Sequence, residues 1–179
     1  MNLLLVLLPN KSIINKIFYL RDTIVRIKQG NLDLNAKKYP HISLVYFKDK
    51  NPTKIQKEKV VNLFSSFVFP LPIHLKIIKY DTWDNKVVAI LDRKPLSDTI
   101  IKIEKLLEKN SIEIHKDYTA LYGNYFDIKI ARQVHKKDNE TVTKLIEKTL
   151  PNKIGFDKIA LIDRGWKEKD FLWKKTKED

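Results

Sequence analysis

The chain has 179 residues, 43% of them hydrophobic, which is enough for one well-packed domain and too short for two ordinary ones. It has no cysteine, which excludes disulfides and thiolate chemistry, and its four glycines leave little room for a Gly-rich phosphate loop. The formal net charge of +13 favours polyanionic partners, because each neutralised phosphate releases counterions, although the lysine and isoleucine bias is also what an AT-rich genome produces.

Residues 2–8 form an apolar run that reads as a buried first strand. It lacks a basic flank and a small-residue cleavage site and is less than half a membrane span, so the expectation is a cytoplasmic protein that stays out of the membrane. Asn10 is placed to cap a helix in which Ile13, Ile17, Leu20, Ile24 and Ile27 recur at helical spacing until Gly30. The run 41–47, HISLVYF, is strand-like. Asn51 and Pro52 open a second helix with Ile55, Val60, Leu63, Phe64 and Phe67 along one face. Pro70 and Pro72 separate it from a strand in which Ile73, Leu75 and Ile77 alternate.

The same order then begins again. Residues 86–91 are strand-like, and after Pro95 the positions Leu96, Ile100, Ile103 and Leu107 make an amphipathic helix. A strand at 126–132, a helix near 139–150 closed by Pro151, and a strand holding Ile154, Phe156, Ile159 and Leu161 complete the second half. A tail strand, DFLWKK, is left over. Each half reads β-α-β-α-β, and position 127 minus position 41 gives 86, close to the spacing of the other elements. The expected fold is α+β: a single domain of two duplicated lobes, about 1–80 and about 81–179, packed around a pseudo-twofold axis with a concave central sheet.

Strand alternation puts His41 and Ser43 on one face, with Ile42 and Leu44 toward the core. Asp127 and Lys129 occupy the same places in the second half, with Ile128 and Ile130 facing inward. Tyr46 shares the parity of Leu44 and reads as packing or rim, with an accessory or stacking role at the site as the alternative. Trp83, in the turn-like YDTWDNK between the halves, is the better candidate for stacking on a base, whereas Trp173 alternates with Phe171 and reads as core. His74 reads as an outward strand residue that can also face the cleft. His115 and His135, on either side of the second motif, read as surface or accessory histidines. No cluster has metal-ligand spacing, and neither a metal nor another cofactor is expected.

A duplicated unit whose strands carry His-apolar-Ser/Thr-apolar resembles the 2H phosphoesterase superfamily, which includes the RNA ligase-like and 2′,3′-cyclic phosphodiesterases. PHISLVYF matches its first motif, and YFDIKIARQ stands where the second would be, with Asp127 for the histidine and Lys129 for the threonine. The resemblance implies metal-independent chemistry on RNA 2′,3′-cyclic or 2′-5′ phosphodiesters, or on a small cyclic or oligonucleotide, by a monomer. In that chemistry one group takes a proton from the attacking oxygen and another gives one to the leaving oxygen, a task suited to imidazole. His41, Ser43 and Asp127 would then be the catalytic positions, with Lys129 and Arg132 on the phosphate, Arg132 because the family has an arginine there. A degenerate second motif equally fits a nucleotide- or RNA-binding protein that does not cut.

Overall fold

The computed structural model describes residues 3–27, 38–48, 52–83, 85–115, 125–132, 134, 136–163 and 171–177. The expected helix stop at Gly30, the helix start at Asn51, and His135 lie outside them. In chain order the elements are β1 (Leu4–Pro9), α1 (Lys11–Ile27), β2 (Ile42–Tyr46), α2 (Lys54–Ser65), β3 (Ile73–Trp83), β4 (Lys86–Leu91), α3 (Ser97–Lys109), β5 (Phe126–Arg132), α4 (Asn139–Thr149), β6 (Lys153–Ile162) and β7 (Phe171–Thr176). The fold is α+β, and among the described residues it has four helices and a seven-stranded antiparallel sheet.

Local chemistry accounts for several boundaries. Asn10 Oδ1 accepts the Ile13 amide at 3.0 Å and caps α1. The second helix starts later than Pro52 suggests, because Thr53 and Gln56 form a capping box that satisfies two amides at once. Its first apolar residue, Ile55, is 77% exposed, so the buried face begins at Val60 and Phe64. The third helix follows a short 3-10 turn at Lys94–Leu96 and buries Ile100, Ile103 and Leu107, the positions its spacing selects.

The strand order is β2-β1-β6-β3-β4-β5, with β7 added beside β6. The last strand of each half crosses over: β3 pairs with β4 of the following half, and β6 pairs with β1 of the preceding one. Exchanging β1 with β4, β2 with β5 and β3 with β6 turns this order into its own reverse. Buried residues of all four helices share one core with Leu3, Leu5 and Leu7. Leu4, Val6 and Leu8 point the other way, into a smaller cluster with Ala160 and Ile162 beneath Tyr39, Tyr46 and Phe171. Burial on both faces explains why β1 is apolar at every position.

β2 and β5 end the main path at opposite sides, yet their Cα atoms come within 8 Å of each other. The sheet is therefore curled until its two outermost strands meet. Among the described residues no helix is long and apolar enough to cross a membrane.

Candidate functional site

Both meeting strands carry a bulge. Leu5 and Val6 of β1 stand opposite Val45 and Ser43, which leaves Leu44 extra; Val87 and Val88 of β4 stand opposite Ala131 and Lys129, which leaves Ile130 extra. The two bulged residues are 86 positions apart, like His41 and Asp127. From Pro40 to Tyr46 and from Phe126 to Arg132 the burial alternates identically, with two consecutive buried residues after the bulge begins.

The bulges correct the expected faces. A regular strand would turn Tyr46 and Arg132 toward the core; the extra residue turns each onto the face of its own motif. Tyr46 pairs across the sheet with Leu4 and Ser43 with Val6, both on the face away from the helices. The Tyr46 hydroxyl accordingly donates to Ser43 Oγ at 3.1 Å. This contact occupies a lone pair of Ser43 and leaves its own O–H to donate elsewhere. Arg132 pairs with Lys86, and Lys129 with Val88, on the corresponding face of the second half.

His41 is partly buried, and its Nδ1 lies 2.8 Å from the Tyr39 carbonyl oxygen. A carbonyl only accepts, so Nδ1 carries the proton and Nε2 presents a lone pair. The imidazole pKa is lowered from 6.5 to about 4, chiefly by burial, with the charges of Lys129, Arg21 and Arg132 adding to the shift and the Tyr39 hydrogen bond opposing it. Lys129 and Arg132 of the second half and Arg21 of the first thus act electrostatically on the imidazole. Lys129 is itself held below the usual lysine range by burial; Asp127 works against that, and Arg132 and Lys86 add to it. Asp127 thus favours the charged form of Lys129 without an ion pair between them.

Arg21 is a site residue that sequence reasoning missed. It is 8% exposed, and its guanidinium donates to the carbonyls of Ile130 at 2.9 Å, Lys129 at 2.9 Å and Lys38. One side chain from α1 therefore fastens the β5 bulge to the segment entering β2. The available signal was an arginine four residues after Ile17 and three before Ile24, on the buried stripe of its helix.

His115 is also brought to this side. Its amide donates to the Tyr46 carbonyl at 2.8 Å, flanking a bridge between Phe47 and Ile114, so His115 stands directly opposite Tyr46 on the edge of β2. His74 is exposed and pairs with Gly155, where an added Cβ would lie 3.2 Å from its Nε2. Trp83 is the last residue of β3 rather than part of a loop, and its ring packs 5.9 Å from that of Tyr125. Trp173 packs against Phe69 and the main core, as its alternation suggests.

The result is a partly buried imidazole just before β2, a hydroxyl on β2 that accepts from Tyr46, and cations on β4 (Lys86) and β5 (Lys129 and Arg132). Such a group can bind a phosphate and move a proton beside it. No family model matches the chain, and no curated protein matches it. Function therefore rests on the geometry.

Proposed function

We propose that the protein is a 2H-type phosphodiesterase acting on a 2′,3′-cyclic or 2′-5′ phosphodiester of RNA or of a small cyclic or oligonucleotide. The observation that carries the reading is the 2.8 Å contact of His41 Nδ1 with the Tyr39 carbonyl oxygen, which makes Nε2 the basic nitrogen of an imidazole whose pKa is lowered by burial and by the charges of Lys129, Arg21 and Arg132. The paired bulges and the self-reversing strand order support a duplicated architecture in which positions 41 and 127 are equivalent.

In this reading Lys129 and Arg132 neutralise the phosphate and Ser43 donates to a non-bridging oxygen. His41 Nε2 takes the proton of the attacking hydroxyl or water. In-line displacement places the leaving oxygen on the far side of phosphorus, out of reach of the same imidazole. The Lys129 ammonium, made more acidic by burial, is the group on β5 that can protonate it. Asp127 keeps that lysine charged until the step occurs.

The substitution of Asp127 for a second imidazole favours one competing reading, a nucleotide- or RNA-binding site that does not cut. Hydrolysis of cytidine 2′,3′-cyclic phosphate and of a 2′-5′ dinucleotide separates the two. The enzyme reading expects turnover that falls about 10²–10⁴-fold in His41→Gln with little change in affinity. Tight binding without turnover in the parent leaves only the binding protein, and neither binding nor turnover refutes both.

A further inference from the structure

The outer face of β3, β4 and β5 carries a second feature beyond the phosphate cluster. Trp83 stands directly opposite Lys86, and Lys86 directly opposite Arg132, so the three side chains form one row on one face. Two strand spacings put Trp83 about 10 Å from Arg132 across the sheet, within the span of a single nucleotide.

Asp81, two residues before Trp83 and on the same face of β3, has its carboxylate held by Lys79 Nζ at 2.8 Å and by the Thr82 amide at 2.8 Å. The indole adds an aromatic face to this row. Tyr125 lies beside it with an interplanar angle of 45°, so the two rings are not stacked on each other, and Tyr125 is 43% exposed. Among the described residues both lie outside the two hydrophobic clusters, so neither ring is explained as core.

We propose that Trp83 and Tyr125 form a nucleobase subsite, and that the ligand of the neighbouring phosphate cluster is a base-bearing nucleotide rather than any phosphoester. This rests on the phosphate-binding part of the reading above. The cations bind phosphate whatever is attached to it; the aromatic pair adds a stacking surface that accepts any base, since every base has a π-face. The order phosphate, ribose, base then runs from β5 toward β3 across the sheet.

The test compares two probes, adenosine 2′,3′-cyclic phosphate and inorganic phosphate, by calorimetric titration. Trp83→Leu is expected to weaken the nucleotide about 5- to 150-fold, the worth of stacking one base, and to leave inorganic phosphate unchanged; Trp83→Phe retains part of the affinity. Tyr125→Leu, at an exposed position, is expected to act in the same direction and carries the test by itself if the tryptophan variant does not fold. Unchanged nucleotide affinity in the folded variants overturns the base subsite. Unchanged affinity for both probes in Lys129→Met instead overturns the phosphate site.

Discussion

His41 gives the sharpest test, because its surroundings make a quantitative statement about its proton. The imidazole of the folded protein binds a proton only near pH 4, whereas in the unfolded chain it does so near 6.5. Above pH 6.5 it is neutral in both states and stability does not depend on it. As pH falls from 6.5 toward 4 the unfolded chain gains a proton that the folded protein refuses, so stability falls with pH. With about 1.4 kcal/mol per tenfold change in proton affinity, the lowering to about 4 corresponds to a loss of about 3 kcal/mol over that interval.

Urea unfolding of the parent and of His41→Gln from pH 7.5 to pH 4 isolates this contribution, because the other titrating groups are common to both proteins. The parent should lose about 3 kcal/mol more than the variant. Imidazole resonances followed by NMR should show His41 neutral through pH 5 and carrying its proton on Nδ1. Added phosphate should raise its pKa, since an anion among Lys129, Arg132 and the ring offsets the cations that depress it. A His41 that titrates near 6.5 in the free protein, or is indifferent to phosphate, refutes the coupling on which the base assignment depends.

Three further outcomes follow from the geometry. Arg21→Met strips donors from the carbonyls of Lys38, Lys129 and Ile130 and should destabilise the fold by about 3 kcal/mol or more; Arg21→Lys should recover part of this, and a loss below about 1 kcal/mol by urea unfolding would contradict the clamp. Lys129→Arg keeps the positive charge but holds its proton too tightly to give it up, so turnover should fall while ligand affinity persists, and parallel loss of both would assign Lys129 to binding alone. Oligonucleotide affinity should fall with rising salt with a log–log slope of a few units, reflecting a handful of phosphate contacts; a flat response would leave the lysines outside the interface.

The sequence by itself determined the composition of the halves and the direction of most side chains. The helical spacing of Ile13, Ile17, Leu20 and Ile24, the alternation of Ile73 and Leu75, and the apolar run of β1 each follow from local periodicity, and all are buried as that periodicity requires. That His41 and Ser43 share one face was legible for the same reason, because two residues apart on a strand means one face. That Tyr46 and Arg132 join the face of their motifs was not. Each lies past an extra residue, Leu44 or Ile130, and a bulge is a mismatch between two strands that neither strand shows alone.

Tertiary structure also decided which half supplies which partner. The return of β6 to β1, the meeting of the outermost strands, and the reach of Arg21 from α1 to Ile130 are contacts between residues far apart in the chain. No local pattern encodes such contacts, because they are selected by the closure of the whole sheet. That closure brings the charges of β5 to bear on an imidazole 88 residues before Lys129, adding to the burial that lowers its pKa.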